Sequence, residues 1–340
     1  TNTHGSEGDI IDAGHGDNLV FGDNGQITAA ADDATPNFGS QPITLGLVET
    51  IESLIGGSDQ ITSGVGRDLI LGGIDADTIT ANAGEYLTDP LSGYHGSDAN
   101  NIVIGDSGYV DWTPAESARV YAAETTAAGA DAGDDTDPSD IDRIWSTETS
   151  DGGNDHIITG DGDDIIIGGE DGEIVNDVII SVPSDVARTV TEDPEGNGDF
   201  IDAGHGDNVV LGDNGQVTGA EDDDNVFFGS QPITFGLIET VSPEIGGHDT
   251  IITGMGADII LGGVGNDDIE ANETEAYVRG STTTYDQNNI ILGDNGFIDW
   301  TAADPGRNAI SDAGYDPHQQ GYDLHLGDDT DPSDIDRIWS

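Results

Sequence analysis

The chain has 340 residues and a formal net charge of -62, because 69 aspartate and glutamate residues face only 7 lysine and arginine residues. A surface this acidic lacks the basic patches that nucleic acids and anionic lipids require, so the composition excludes both as partners and favours cations. The absence of cysteine excludes a disulfide scaffold and a thiolate metal site, and the absence of a long apolar run predicts no membrane insertion.

The first predicted elements are two short strands, which follow Asp9 and Asn18 in the segment DIIDAGHGDN. This segment recurs almost unchanged as DFIDAGHGDN at 199–208. His15 and His205 occupy matching places in the glycine loops of the two segments. We interpret both histidines as loop-surface residues, with a transition-metal ligand or a pH switch as the alternatives.

Further along the chain, aspartates recur at intervals of nine residues, each before a β-branched or aliphatic run. The clearest nonapeptide is GGVGNDDIE at 262–270, with glycines at positions 1, 2 and 4, an acid at position 6 and an aliphatic residue at position 8. Such runs, bounded by glycine turns, predict an all-β fold, namely a parallel β-solenoid with long irregular insertions between its rungs. The ordered aliphatic pairs also argue against the disorder that high net charge favours. The strands in this register are predicted after Asp59, Asp68, Asp77, Asp155, Asp164, Asp249, Asp258 and Asp267.

Three pairs of longer segments interrupt the pattern of strands and glycine turns. We expect them to be irregular, to project to one side of the solenoid and to form a contact surface. A further strand is predicted at 177–181, in the run DVIIS. The paired segments are 29–56 with 219–246, 82–99 with 272–287, and 113–140 with 301–334.

The sequence contains a long internal repeat. The numbering of the two copies differs by 190 at the start, between Asp9 and Asp199, and by 194 at the end, between Asp142 and Asp336. Residues 1–146 are therefore interpreted as a partial first repeat unit, a β-roll with insertions, and residues 147–340 as a second, near-complete unit of about 194 residues. We expect the chain to be a window on a longer array.

The nonapeptides resemble the RTX, or hemolysin-type, calcium-binding repeat. The resemblance is strongest at 262–270 and good at 63–71, 159–167 and 253–261, and recognisable nonapeptides cover about a third of the chain. It implies a parallel β-roll in which several Ca²⁺ ions lie between successive turns. The chemistry agrees, because calcium takes six to eight oxygen ligands and glycine turns with aspartates supply carbonyl and carboxylate oxygens.

The candidate metal ligands are the residues at position 6 of each repeat and the acids of four Gly-Asp-[Asn/Ser]-Gly turns. Asparagine at position 6 keeps an oxygen but removes a charge, so those sites are expected to bind more weakly or to be structural turns. The segment 168–173 starts as a repeat and loses its register, so no ion is predicted there. The first group comprises Asp9, Asn18, Asp59, Asp68, Asp77, Asp155, Asp164, Asp199, Asn208, Asp249, Asp258 and Asp267, with Asn101 and Asn289 as further asparagine positions, and the second group comprises Asp23, Asp106, Asp213 and Asp294.

No motif of a hydrolase, a metalloprotease or a phosphate-binding loop is present in the sequence, which predicts a non-enzymatic protein. The leading hypothesis is a calcium-stabilised segment of a large secreted protein that forms a filament, an adhesin stalk or a surface layer. Its partners would be calcium, other copies of itself or neighbouring units, and a surface or polysaccharide. The alternative is a calcium-dependent accessory or secretion module of a secreted hydrolase, epimerase or toxin. Both place the chain outside the cell or at its surface, where calcium reaches the roughly 10⁻⁴ to 10⁻³ M that extracellular modules need.

Overall fold

The computed structural model describes residues 8–30, 43–52, 55–83, 99–112, 141–148, 152–171, 198–220, 230–243, 245–271, 276–279, 282–285, 288–300 and 337–339. All regular elements in these ranges are β-strands, which confirms the predicted all-β class. Over the same ranges, no helix has the length and apolar character needed to cross a bilayer. The predicted strand at 177–181 and the paired segments 113–140 and 301–334 lie outside the described residues.

Two parallel sheets of seven strands each form the framework. Every position-6 residue predicted to open a strand is followed by one. Sheet A contains, in spatial order, β1 (Ile10–Gly14), β5 (Gln60–Gly64), β7 (Thr78–Ala83), β11 (His156–Ile158), β13 (Phe200–Gly204), β17 (Thr250–Thr253) and β19 (Asp268–Glu270). Sheet B contains β2 (Leu19–Phe21), β6 (Leu69–Gly73), β8 (Ile102–Asp106), β12 (Ile165–Gly169), β14 (Val209–Asp213), β18 (Ile259–Leu261) and β22 (Ile290–Leu292).

The chain alternates between these two sheets. We call one strand of sheet A, together with the strand of sheet B that follows it, a rung, and number the rungs 1 to 7 along the chain. Neighbouring rungs pair in parallel in both sheets, for example Ile61 with Ile79 in sheet A and Ile70 with Val103 in sheet B. Each ladder therefore repeats the same side-chain positions from rung to rung.

The prediction that the insertions are irregular is wrong in part, because some of them contribute strands to a third large sheet, sheet C. Parts of them are strands, because extended segments over the apolar outer face of sheet B satisfy their backbone groups by pairing with one another. Sheet C is antiparallel throughout, and a separate two-stranded sheet consists of β20 (Ala276–Arg279) and β21 (Thr282–Tyr285). In spatial order, sheet C contains β24 (Arg337–Trp339), β23 (Phe297–Asp299), β16 (Phe235–Thr240), β15 (Gly215–Gly219), β10 (Arg143–Ser146), β9 (Gly108–Asp111), β4 (Leu45–Thr50) and β3 (Gly25–Ala29).

The strands of sheet C arise in pairs, after every second rung. The chain leaves for sheet C after rungs 1, 3, 5 and 7, whereas rungs 2 and 6 pass by a short turn to the next strand of sheet A. An antiparallel pair of strands is about 10 Å wide, which is also the width of two rungs in a parallel sheet. Each pair of strands in sheet C therefore covers the same length of the framework as two rungs of sheets A and B.

Sheet B is the middle layer and is buried on both faces. In β6, Ile70 packs in a cluster with Ile61 and Ile79 of sheet A, while Leu69 and Leu71 belong to a second cluster that includes residues of sheet C. All five residues are essentially inaccessible to solvent. Burial on both faces explains why the strands of sheet B are unbroken aliphatic runs instead of alternating patterns.

Candidate metal centre

A line of seven aspartates runs along one edge of the framework. Each of them directly precedes a strand of sheet A, so the parallel register places their side chains one above another. We call this line the aspartate column; it consists of Asp9, Asp59, Asp77, Asp155, Asp199, Asp249 and Asp267. The structure thus brings together seven of the predicted metal ligands.

The two oxygens of each carboxylate in the column have different surroundings. Oδ1 of each aspartate from Asp59 onward accepts a hydrogen bond from the backbone N–H of the aspartate on the preceding rung, over 2.6–3.1 Å. Oδ2 of the same six residues is buried and accepts no hydrogen bond. A buried carboxylate oxygen with no donor is costly unless a proton or a cation reaches it.

Glycines face these unpartnered oxygens. A Cβ atom on Gly105 would lie 2.0 Å from Oδ2 of Asp155 and 2.5 Å from the carbonyl oxygen of Gly168. The same pair of oxygens, Oδ2 and a glycine carbonyl of the next rung, crowds the Cβ position of Gly22, Gly72, Gly168, Gly212 and Gly262. The nonapeptide glycines at the ends of the sheet B strands therefore leave room for oxygen atoms, and any larger residue would occupy that room.

The electrostatics of the aspartate column are unfavourable without a counter-charge. Burial raises the pKa of Asp77, Asp155, Asp199 and Asp249 well above the usual value, and neighbouring aspartates raise it further. Strands are about 4.8 Å apart, and two like charges at that distance repel by about 3 kcal/mol at an effective dielectric constant of about 20. Six such neighbouring pairs in one column favour a bound cation or protonation.

The densest group of acids lies around Asp171, which was not among the predicted ligands. Ligand oxygens of Asp171, Asp199 and Asp249 lie within 4.8 Å of one another, so this triad could hold a metal ion. Neither oxygen of Asp171 has a hydrogen-bond partner, and burial with nearby Asp199, Asp249 and Asp213 raises its pKa well above the usual value. Two facing carboxylates are both acceptors, so only a shared proton or a cation can join them.

The sequence offered a partial signal for Asp171. It follows the doublet Gly168 and Gly169, as an acid follows the glycines of other repeats, but the register is then lost and no ion was predicted. The parallel pairing of β12 with β14 brings this irregular turn next to rungs 5 and 6. Spacing along the chain does not show this proximity.

Two of the four predicted turn aspartates, Asp23 and Asp213, have a different role from that of the column. Asp23 accepts backbone N–H groups at both oxygens, from Gly57 at 3.2 Å and Ile74 at 2.8 Å, and burial raises its pKa to about 6. Asp213 likewise accepts from Gly247 and Val264, and burial raises its pKa to about 7. Through these hydrogen bonds, the two carboxylates link the turns of neighbouring rungs.

The other two turn aspartates differ from this pair. Asp106 accepts from the backbone N–H of Glu170 at Oδ2, while its buried Oδ1 has no partner. Asp294, on rung 7, lies two residues after the end of β22. Asp106 therefore remains a candidate ligand at the same edge as the aspartate column.

The remaining predicted ligands form a second line at the opposite edge, before the strands of sheet B. Their backbone N–H groups donate to the Oδ1 atoms of the next rung over 2.7–3.1 Å, as in the aspartate column. Asparagine and aspartate alternate strictly along this line. We call it the mixed column; it consists of Asn18, Asp68, Asn101, Asp164, Asn208, Asp258 and Asn289.

His15 and His205 form hydrogen bonds at the edge of the mixed column. Nδ1 of His15 accepts the backbone N–H of Val65 at 3.0 Å, and Nδ1 of His205 accepts that of Met255 at 3.0 Å. His15 is exposed, as predicted, and His205 is half-buried. Each histidine therefore joins its own turn to the turn of the following rung.

The donor set of the aspartate column fits a hard divalent cation. Its unpartnered groups are carboxylate oxygens, and glycine carbonyl oxygens lie beside them. Calcium and magnesium prefer such ligands, whereas transition metals favour nitrogen or sulfur.

Comparisons of the chain with protein-family models, with curated proteins and with solved structures find no match.

Proposed function

We propose that the chain is a calcium-stabilised structural segment of a large secreted repetitive protein, in which sheets A and B form the coils of a parallel β-solenoid of the calcium-binding β-roll type. The observation that carries the proposal is the set of six buried Oδ2 atoms with no hydrogen-bond donor. Calcium ions would supply the missing charge, and an ion that contacts two rungs would join metal binding to folding.

The repetition of the aspartate column supports a structural role over a catalytic one. The same carboxylate recurs before every strand of sheet A, from Asp9 to Asp267, instead of converging with different groups at one place. A scaffold needs such uniformity because each ion stabilises only the rungs that it touches. The proposed setting is a filament, an adhesin stalk or a surface layer outside the cell, with other copies or neighbouring units as partners.

Calcium titration of the chain tests this function. Far-UV circular dichroism is followed as calcium is added to protein in cation-free buffer, light scattering reports particle size, and magnesium at equal concentration is the control. We expect β-structure to form or to become markedly more stable with calcium and not with magnesium. Growth in particle size would support a calcium-assembled filament, and constant size a stalk. Full and equally stable β-structure without calcium would refute the proposal.

A further inference from the structure

We propose that the cations bind along only one edge of the framework, the edge of the aspartate column, and that the mixed column at the opposite edge is closed by hydrogen bonds within the protein. This inference rests on the proposed calcium binding and deepens it. It differs from the sequence-based expectation, which placed candidate ligands at both edges. The relevant chemistry is that of an oxygen-seeking divalent cation such as Ca²⁺.

The aspartate edge leaves oxygens for a cation to bind. In Asp155, Asp199 and Asp249, Oδ1 accepts one backbone N–H and Oδ2 accepts nothing, although each residue is at most 2 % exposed. Cβ atoms on Gly105, Gly168 and Gly212 would lie 2.0–2.1 Å from these Oδ2 atoms, so the oxygens point into the space that glycine leaves. Without a donor from the protein, such a buried acceptor is satisfied by a proton, a water molecule or an ion.

On rung 6, the mixed edge supplies its own donors. Nδ2 of Asn208 donates to Oδ1 of Asp258 at 3.1 Å, in addition to the backbone N–H of the same asparagine. Oδ2 of Asp258 accepts the hydroxyl of Thr253 at 2.7 Å. Both carboxylate oxygens of Asp258 are therefore satisfied by protein groups.

Rung 2 repeats the amide part of this arrangement. Nδ2 of Asn18 donates to Oδ1 of Asp68 at 2.8 Å. The Ser63 hydroxyl and Oδ2 of Asp68 are both buried without a hydrogen-bond partner, and they hold the places of Thr253 and Asp258 in the repeat. The Ser63 hydroxyl is the donor nearest in kind to that of Thr253, and a hydroxyl can turn to suit its acceptor.

The order of residues in the mixed column keeps its charges apart. An asparagine separates each aspartate from the next, so like charges are two rungs apart instead of one. The neighbouring surface acids also accept protein donors: Asp163 accepts the N–H of Asp207 at Oδ1 and the N–H and hydroxyl of Ser230 at Oδ2. On rung 6 this edge is therefore an amide and carboxylate ladder in which protein groups donate to both oxygens of the carboxylate.

Rung 6 provides a matched pair of substitutions, Asp249→Asn in the aspartate column and Asp258→Asn in the mixed column. Both change one oxygen to an amide on the same rung, and asparagine is already the native residue at four of the seven mixed-column positions. The number and affinity of bound calcium ions are measured by isothermal titration calorimetry and by equilibrium dialysis. We expect D249N to lose an ion or to weaken one site by roughly tenfold or more. D258N should keep the number and affinity of the native protein.

The outcomes separate this inference from the proposed function. Equal losses in D249N and D258N would overturn binding at one edge while leaving calcium stabilisation in place. A native protein that binds no calcium would overturn both. If D249N does not fold at any calcium concentration, the ion count of D258N decides alone: the native count supports the inference, and a lower count overturns it.

Discussion

Acidification of the cation-free protein is expected to stabilise it, in contrast to the acid denaturation of most proteins. The clearest contribution comes from Asp213, whose pKa burial raises from 3.8 to about 7. One pKa unit corresponds to about 1.4 kcal/mol, so this group alone penalises the charged folded state by about 4 kcal/mol. Asp23, with a pKa raised to about 6, adds less because it is half exposed and screened by water.

Stability rises on acidification because the pKa values of these carboxyl groups are higher in the folded state than in the unfolded state. A carboxyl group whose pKa is higher in the folded state binds its proton more tightly there, so protonation favours folding. Above about pH 7 the group is charged in both states and the folded state bears the full penalty. Between about pH 7 and pH 4 the penalty is relieved progressively. Burial also raises the pKa values of the fully buried column residues Asp155, Asp199 and Asp249, which therefore change stability in the same direction.

The assay is urea unfolding, followed by circular dichroism, in cation-free buffers between about pH 4.5 and pH 8. We expect the free energy of unfolding to rise by several kcal/mol as the pH falls, or an unfolded chain at about pH 8 to gain β-structure on acidification. With saturating calcium, the free energy of unfolding should instead fall as the pH falls, because protons compete with calcium for the carboxylate oxygens. Asp213→Asn is the control and should make the cation-free dependence of stability on pH less steep, since the column aspartates remain. Loss of stability on acidification without cations would refute the electrostatic argument.

Two further predictions concern packing. Gly105→Ala should reduce both stability and calcium affinity, because its Cβ would meet Oδ2 of Asp155 at 2.0 Å, whereas Gly293→Ala, with nothing within 4 Å, should change neither in urea unfolding and calorimetry. Equal effects would argue against the glycine-lined space. Ile70→Ala, at a fully buried position, should cost about 2–5 kcal/mol. Ile10→Ala, at a position 83 % exposed, should cost less than about 0.5 kcal/mol, and a small effect at Ile70 would contradict the assigned core.

The strands of sheets A and B could be predicted from sequence because the nonapeptide joins two local signals, a glycine turn and an aspartate before an aliphatic run. Sheet C could not, because strands such as β4 and β9 are defined by their antiparallel partners, and the paired residues lie 60 to 64 positions apart in the ladder that joins Leu47 to Asp111. Asp171 was missed for the same reason, since its neighbours Asp199 and Asp249 are distant in sequence. The asparagines were recognised as departures, but their alternation became evident only when the rungs were stacked.

The coupling of sheet C to every second rung restricts how a protein of this kind can change length. Loss or gain of one rung would change sheets A and B by one strand each, whereas the strands of sheet C come in pairs, so the sheets would no longer match in length. The four rungs from β1 to β12 that precede the repeated strand β13 are an even number, as this constraint requires. A change of two rungs keeps the three sheets matched in the described part of the chain, and each such step changes the length by about 10 Å.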